Sequence, residues 1–192
     1  MTTTIVTRAS LVVSIVAGSF VVATPAKAGI TFHNYANENY CMGVYGGGTS
    51  VGSQLVLWTC DGSANQDWFD DIAIGGNSFF EVQDSAAPSM CIDLPPGTNP
   101  RLDTPQLILS GCDGANDQGW YFVPQFSDGT LRGRECYIVE NYEAFEDDGY
   151  WAVIGVYAGS MTDGASIVLW PWSMDPVHHP DQYWCLSADG PV

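Results

Sequence analysis

The chain has 192 residues, of which 22 are acidic and five are lysine or arginine, so its formal net charge at pH 7 is -17. A nucleic-acid-binding surface needs basic residues for phosphate contacts, and this composition argues against that class of partner. Hydrophobic residues make up 46% of the chain and aromatic residues 12%, which excludes an intrinsically disordered protein. The length fits one domain or at most two, and the content of Gly, Pro and Trp favours an all-β fold.

The first 28 residues have the pattern of a secretory signal peptide. Arg8 supplies a positive charge, an apolar run covers residues 11–23, and residues 26–28 (Ala-Lys-Ala) form a small-x-small cleavage site. The apolar run is shorter than the ~20 residues of a membrane-spanning helix, so an uncleaved anchor is the less favoured alternative. We therefore predict a secreted protein that begins at Gly29 and does not insert into membranes. The predicted mature chain contains three arginines and no lysine.

The rest of the chain repeats three times. A Q-x-W motif stands near the end of each repeat, at residues 66–68, 118–120 and 182–184. The preceding segments, LVLWTCDGSANQDW and LILSGCDGANDQGW, align without a gap, whereas IVLWPWSMDPVHHPDQYW in the third repeat carries four extra residues. Repeats of this length indicate supersecondary units that bury a shared core. We refer to them as repeats 1, 2 and 3, covering about residues 29–76, 77–130 and 131–192.

Each repeat is predicted to contain four short β-strands. In repeat 1 these are ITFHNY, the CMGV region, LVLWTC and DWFDDIAI, which are rich in β-branched and aromatic residues and bounded by turn formers. No amphipathic helix is predicted after the signal peptide. Twelve strands in three equivalent units favour a closed pseudo-threefold β-barrel over a β-sandwich.

These motifs resemble the ricin B-chain type lectin domain, which is a β-trefoil. The resemblance rests on three Q-x-W motifs in register, two of them preceded by C-x-D/G-V/L and L-x-x-C segments with their cysteine pair, and it covers essentially the whole predicted mature chain. It implies a non-catalytic protein that binds sugars in up to three shallow sites, one per repeat.

The six cysteines all follow the predicted cleavage site, and an oxidising compartment would let them pair. The repeats and the resemblance imply that Cys41 pairs with Cys60 and Cys91 with Cys112. The two remaining cysteines, Cys136 and Cys185, are expected to pair because they fall in the neighbouring first and last strands of repeat 3. Val153 and Trp172 occupy the places of the absent third pair, where we expect an apolar contact instead.

The resemblance also assigns roles to the Q-x-W residues. The tryptophans Trp68, Trp120 and Trp184 are expected in the core. The glutamines Gln66, Gln118 and Gln182 are expected to satisfy backbone groups in their turns, and they also count among the sugar-binding candidates.

A sugar site of this family combines a carboxylate from C-x-D, an aromatic face from L-x-x-C, and an Asn or Asp before the Q-x-W glutamine. Repeat 1 has Trp58, Asn65 and Gln66, but Gly43 stands at the carboxylate position. Tyr45 follows that glycine and is a candidate for further contacts.

Repeat 2 has Asp93, Asp117 and Gln118, but Ser110 stands at the aromatic position, with Tyr121 as a candidate replacement. Repeat 3 has Trp170, Asp181 and Gln182, but Gly155 stands at the carboxylate position, followed by Tyr157. No repeat carries the full set. The sequence ranks repeat 2 first, because the carboxylate dominates sugar orientation, and repeat 1 second. The alternative is that all three sites are vestigial.

Other residue clusters give weaker predictions. His33 and the adjacent His178 and His179 are not expected to bind a metal, and the acidic run at residues 140–148 is expected to be a solvated loop rather than a calcium site. No H-E-x-x-H motif is present, and we predict a non-enzyme without a cofactor. The predicted partner is a glycan, of galactose type by resemblance, and the predicted state is a monomer. The competing hypothesis is a protein-interaction or toxin-accessory module that uses the same fold without sugar.

Overall fold

A computed structural model describes residues 29–73, 80–100, 102–125, 130–131, 134–146 and 151–187, and the predicted signal peptide lies outside these residues. The described chain forms thirteen β-strands and very little helix. The strands are β1 (Thr31–Asn34), β2 (Tyr40–Val44), β3 (Leu55–Thr59), β4 (Trp68–Ala73), β5 (Phe80–Asp84), β6 (Ala87–Asp93), β7 (Ile108–Gly111), β8 (Trp120–Pro124), β9 (Thr130–Leu131), β10 (Arg134–Asn141), β11 (Ala152–Val156), β12 (Ala165–Pro171) and β13 (Trp184–Ser187).

Six of the strands form a closed barrel. They are the first and last strands of the three repeats, and they pair in the order β1, β13, β10, β8, β5, β4. An antiparallel bridge between Ile30 and Trp68 joins the two ends of this series. Closure satisfies the backbone groups that a free sheet edge would expose.

The middle strands of each repeat form three hairpins, β2–β3, β6–β7 and β11–β12. The hairpins contact one another in a ring through β3–β12 pairing and through two isolated bridges, Gln54 to Ile108 and Gln106 to Val168. A six-stranded barrel with three linked hairpins related by pseudo-threefold symmetry is a β-trefoil, so the predicted fold is confirmed.

The three Q-x-W tryptophans are fully buried in the shared core, as predicted. Each indole also donates a hydrogen bond to a carbonyl of the hairpin in its own repeat, so its one polar group is satisfied. The pairs are Trp68 Nε1 to Met42 O at 3.2 Å, Trp120 Nε1 to Ile92 O at 3.0 Å, and Trp184 Nε1 to Ile154 O at 2.9 Å.

The three predicted disulfides are present: Cys41–Cys60, Cys91–Cys112 and Cys136–Cys185. The first two each link the two sides of one hairpin, β2–β3 and β6–β7 respectively. The third joins directly paired residues of β10 and β13 in the barrel wall.

An apolar cluster stands where repeat 3 lacks its hairpin disulfide. Val153 is buried there with Ile138 and Tyr183, and Trp172 packs against them. The Trp172 ring also stacks on Trp151, with centroids 5.0 Å apart and planes 24° from parallel. The expected apolar replacement of the disulfide is therefore confirmed.

The expectation of a solvated loop over the acidic run at residues 140–148 is wrong for residues 140–146, and residues 147 and 148 lie outside the described residues. A five-residue helix, α1 (Tyr142–Glu146), follows β10 inside the acidic run. Asn141 starts it, because its Oδ1 accepts a hydrogen bond from the Ala144 N–H at 3.3 Å. Glu140 and Ala144 are buried.

In the described part of the chain, no helix is both long and apolar enough to cross a membrane.

Candidate functional site

Repeat 1 contains a surface cavity of about 440 Å³ at the open side of its hairpin. Its walls are residues 44–47, Trp58, Asp61, Ser63 and Asn65. Three candidates from the sequence, Tyr45, Trp58 and Asn65, are therefore brought together here. Sequence reasoning missed Asp61 and Ser63, which follow the second cysteine of the hairpin.

Trp58 offers a partly exposed aromatic face at this cavity, with 38% of its surface accessible. It lies opposite Cys41 in the β2–β3 ladder, next to the disulfide. A turn from repeat 3 supports it: a Cβ on Gly164 would lie 3.9 Å from Cζ3 of the indole. The adjacent Asp163 Oδ1 accepts bonds from Thr59 N at 2.6 Å and Thr59 Oγ1 at 2.9 Å, which fixes that turn.

Asn65 occupies the space that a carboxylate at position 43 would need. A Cβ on Gly43 would lie 3.0 Å from Gln66 Cγ and 3.1 Å from the backbone oxygen of Asn65. The Asn65 amide donates to Val44 O at 3.2 Å, and its Oδ1 stands 4.0 Å from where a Cβ on Gly47 would be. Asn65 thus supplies a neutral amide to this cavity, alongside Asp61 and Ser63, and the amide is held against the turn at 45–47.

The Q-x-W glutamines take the predicted structural role. Each is buried, and each amide bridges two backbone groups of its turn. The Oε1 atoms accept from the N–H groups of Asp61, Asp113 and Ser173 at 2.9, 3.0 and 2.9 Å. The Nε2 atoms donate to the carbonyls of Thr59, Gly111 and Pro171 at 2.9, 2.8 and 3.0 Å. Gln66 and Gln182 are not among the wall residues of the cavities in their repeats.

Repeat 3 contains an equivalent but smaller cavity of about 280 Å³. Its walls are Val156, Ala158, Gly159, Trp170, His178, His179 and Asp181. Tyr157 lies beside it, edge-on to Trp170 with ring centroids 5.9 Å apart.

The turn that forms one wall of each cavity has a left-handed backbone. Gly46 and Gly47 have φ of 60° and 66°, and Ala158 and Gly159 have φ of 54° and 63°. Ala158 is the one non-glycine residue of the described chain with positive φ. A left-handed alanine costs ~1–2 kcal/mol, so this strained backbone must be held by its surroundings at the cavity wall.

Asp181 supplies a carboxylate to the repeat 3 cavity. A Cβ on Gly155 would lie 3.6 Å from its Oδ2, and a Cβ on Gly159 would lie 3.9 Å from its Oδ1. Burial raises the pKa of the Asp181 carboxyl, against the lowering effect of backbone hydrogen bonds and of nearby His179. Gly155 provides no carboxylate, and the Asp181 carboxylate, which lies over it, is the hydrogen-bond acceptor in its place.

The four-residue insertion adds two histidines to this cavity, and sequence reasoning did not place them in a site. Both are exposed, as the loop prediction requires. His178 Nδ1 pairs with Asp175 Oδ2 at 2.5 Å, and this hydrogen bond is the main cause that lowers the pKa of the Asp175 carboxyl. The sequence signal for this placement is that His178 and His179 come just before Asp181, which is itself a predicted site residue.

Repeat 2 keeps its carboxylate but lacks an aromatic platform. Asp93 is buried, its Oδ2 accepts from Gln118 Nε2 at 3.1 Å, and its Oδ1 has no donor. Asp117 Oδ1 is likewise unpaired, and burial, followed by the Asp93 charge, raises the pKa of the Asp117 carboxyl. Ser110 pairs with Cys91 in the ladder, as Trp58 does with Cys41.

Tyr121 lies on β8 opposite Glu140 of β10, in the barrel wall, whereas Asp93 lies on the β6–β7 hairpin. The position of Tyr121 therefore gives no support to its use as the replacement platform of repeat 2.

One described group has the residue types of a metal site. His33 Nδ1 lies 3.5 Å from Cys41 Sγ and 3.6 Å from Cys60 Sγ. Both sulfurs belong to one disulfide, so they cannot act as the thiolate ligands that a metal takes from cysteine.

Comparison with known proteins agrees with this geometry. The family model described as ricin-type beta-trefoil lectin domain-like matches residues 19–102. The resemblance to ricin-type lectins is confirmed. A search of curated protein sequences finds no match.

Several solved structures share the fold. The designed threefold-symmetric protein ThreeFoil superposes with a TM-score of 0.67 at 18% identity, over 83% of this chain and 98% of its own. The C-half of the earthworm R-type lectin, solved with GalNAc, gives 0.57 at 14% identity, over 84% and 98%. The Macrolepiota procera ricin B-like lectin, solved with lactose, gives 0.60 at 12% identity, over 86% and 99%. At these identities the similarity establishes the ricin B-like fold alone.

Proposed function

We propose that this protein is a secreted, monomeric lectin that binds glycans without catalysing a reaction. The repeat 1 cavity is the principal site and the repeat 3 cavity is the second. The observation that carries the proposal is the exposed face of Trp58 beside the Asn65 amide in one cavity. A flat aromatic face next to a fixed polar group matches a sugar ring, which has an apolar face and a rim of hydroxyls.

This ranking differs from the one that the sequence favours. Repeat 2 keeps the carboxylate, but its serine leaves no aromatic face on the hairpin, and one Asp93 oxygen is already bonded to Gln118. Repeats 1 and 3 keep the face and obtain their polar group from Asn65 and Asp181. The two lectin neighbours solved with lactose and GalNAc support a galactose-type sugar as the ligand class.

A glycan array tests the proposal, using the oxidised protein secreted from the full chain. We expect binding to one sugar class, at least tenfold weaker in Trp58→Ala, which keeps the repeat 3 site. Trp151→Ala is the matched control, because Trp151 is equally exposed at 39% and is not a wall residue of either cavity. Asp93→Ala tests the sequence-based ranking, and we expect it to keep binding.

A blank array from a folded protein would overturn the proposal. Selective loss of binding in Asp93→Ala would return the main site to repeat 2. The competing function, a protein-interaction module, draws on one observation: the repeat 3 insertion exposes Met174 and Val177 at 81% and 80%. That function predicts indifference to Trp58→Ala and sensitivity to changes in the insertion.

A further inference from the structure

Two buried carboxylates, one just before β4 and one at the end of β5, each have an oxygen atom without a hydrogen-bond donor. Asp67 is 5% exposed and its Oδ1 is unpaired, while Asp84 is fully buried and its Oδ2 is unpaired. Asp84 lies opposite Trp68 in the β4–β5 ladder, and Ser85 N donates to the Asp67 backbone oxygen at 2.9 Å. A buried carboxylate oxygen without a partner is costly, and it calls for a cation or a donor.

The electrostatics of Asp84 agree with an uncompensated site. Burial raises the pKa of Asp84 to about 6, and the charge of Asp67 contributes to this shift in the same direction. One Asp84 oxygen accepts a hydrogen bond from Ala86 N at 3.1 Å, which opposes the shift. Two acidic groups share this part of the barrel, and none of the contacts above brings a positive charge to either of them.

Gly29, the first described residue, lies directly against the Asp67 carboxylate. A Cβ on Gly29 would be 1.7 Å from Asp67 Oδ1, so this position admits no side chain while the carboxylate stays in place. Because a Cβ stands ~2.5 Å from its own backbone nitrogen, the Gly29 nitrogen lies within about 4.2 Å of the same oxygen. The neighbouring Ile30 is anchored to Trp68 by two backbone hydrogen bonds of 2.7 and 2.9 Å.

We propose that cleavage before Gly29 creates a structural ion pair between the new α-ammonium group and the buried Asp67 carboxylate. In the cleavage step a peptidase hydrolyses the bond between Ala28 and Gly29. Water adds to the Ala28 carbonyl carbon, the C–N bond breaks, the carbonyl becomes a carboxylate, and the released amine takes up a proton. The peptide N–H offers one donor and no charge, whereas the ammonium offers three donors and a positive charge.

This inference is independent of the sugar-binding proposal and rests on the predicted cleavage site. It gives the processed chain a stabilising contact that the uncleaved chain lacks. It predicts that a residue with a side chain at position 29 would push the carboxylate away from the amine.

The absence of lysine from residues 29–192 allows a direct test, because the α-amine is the single amine of the processed protein. The full chain is secreted from an expression host, and the intact mass defines its first residue. The rate of α-amine acetylation by an N-hydroxysuccinimide ester at pH 8 is then compared between native and urea-unfolded protein. We expect at least a tenfold slower reaction in the native state, since a paired ammonium is protonated and shielded.

Asp67→Asn removes the charge partner and should bring the acetylation rate of the native protein close to that of the unfolded protein. Asp113→Asn, which changes an exposed carboxylate in repeat 2, is the control and should leave the native rate slow. If Asp67→Asn does not fold, the acetylated wild-type protein serves instead. Acetylation should then raise the equilibrium constant for unfolding at least tenfold. Equal reaction rates in native and unfolded wild type, no effect of acetylation on unfolding, or a first residue other than Gly29 would overturn the proposal.

Discussion

The carboxylate of Asp181 lies over Gly155, with Oδ2 3.6 Å from the Cβ position that the glycine leaves empty. Repeat 1 has the same arrangement in neutral form, with Asn65 beside Gly43. Two of the three repeats therefore obtain their polar group from the residue before the Q-x-W glutamine. The carboxylate position on the hairpin is filled in repeat 2 alone, by Asp93.

Asp181→Asn should weaken sugar binding at repeat 3 while leaving repeat 1 unchanged. A hydrogen bond to a charged acceptor is worth ~1.5–3 kcal/mol, so we expect a loss of about tenfold or more at that site. Isothermal titration should show one of two sites weakened. Asp113→Asn is the control, because this exposed aspartate belongs to repeat 2. Unchanged affinity at both sites would remove Asp181 from the proposed site.

The same carboxylate gives repeat 3 a pH dependence. Burial raises its pKa, so the acceptor loses its charge at a higher pH than an ordinary aspartate does. Sugar affinity at repeat 3 should therefore fall as the pH is lowered through the raised pKa of Asp181. Repeat 1 should lack this component, because the residue before its Q-x-W glutamine is the neutral Asn65, although Asp61 also lines its cavity. Titrations of the Trp58→Ala and Trp170→Ala variants across acid pH separate the two sites. Parallel pH profiles would contradict this assignment.

Gly43→Ala should destabilise the fold more than Gly155→Ala. A methyl at position 43 would lie 3.1 Å from the Asn65 backbone oxygen, which cannot rotate away. At position 155 the nearest atoms are Gln182 Cγ at 3.3 Å and Asp181 Oδ2 at 3.6 Å, so the added methyl meets less crowding and no backbone atom. Overpacking costs ~1–3 kcal/mol, and we expect this range for Gly43→Ala and less for Gly155→Ala. The urea concentrations at the unfolding midpoints of the two variants measure this difference. A lower midpoint for Gly155→Ala than for Gly43→Ala would contradict the prediction.

Glu140 should make the protein more stable in mild acid than at pH 8. Burial raises the Glu140 pKa to about 7, from 4.5, so between these values the folded state binds a proton that the unfolded state has released. By linkage, the free energy of unfolding rises as the pH falls from about 7 toward 4.5. Glu140→Gln should flatten this dependence and stabilise the protein at pH 8.

Denaturant unfolding at pH 5 and pH 8 measures this effect. Glu135→Gln, on the same strand but exposed, is the matched control and should behave like wild type. Identical pH dependence in wild type and Glu140→Gln would show that Glu140 is not the group responsible.

The Trp151–Trp172 stack should contribute measurably to the stability of repeat 3. The rings are 5.0 Å apart beside the cluster that replaces the disulfide. Aromatic pairs contribute ~0.5–1.5 kcal/mol beyond the apolar area that they bury. A double-mutant cycle with Trp151→Ala and Trp172→Ala should give a coupling free energy in this range. Strictly additive losses would mean that the two rings stabilise the domain separately.

The barrel, the hairpins and the disulfides could be predicted because they follow from repetition. A motif such as Gln66-x-Trp68 fixes a turn and a core residue wherever it recurs, and the cysteine spacing recurs with it. Cys136 and Cys185 could be paired because they fall in the first and last strands of repeat 3, which are neighbours in a trefoil unit.

Features that break the repetition could not be predicted in this way. Helix α1 depends on Asn141, whose amide also donates to the Asp117 carbonyl at 3.0 Å, and that contact between repeats is invisible in the local pattern. The polar groups beside Gly43 and Gly155 come from Asn65 and Asp181, which lie 22 and 26 residues further along the chain. The approach of Gly29 to Asp67 arises from barrel closure, which joins the two ends of repeat 1.

The most direct test of the two-site account is a calorimetric titration of the sugar that the array selects, with the wild type, Trp58→Ala, Trp170→Ala and the double variant. The account predicts two sites in the wild type, one in each single variant and none in the double variant, with circular dichroism unchanged throughout. Binding by the folded double variant with wild-type affinity and stoichiometry would contradict it.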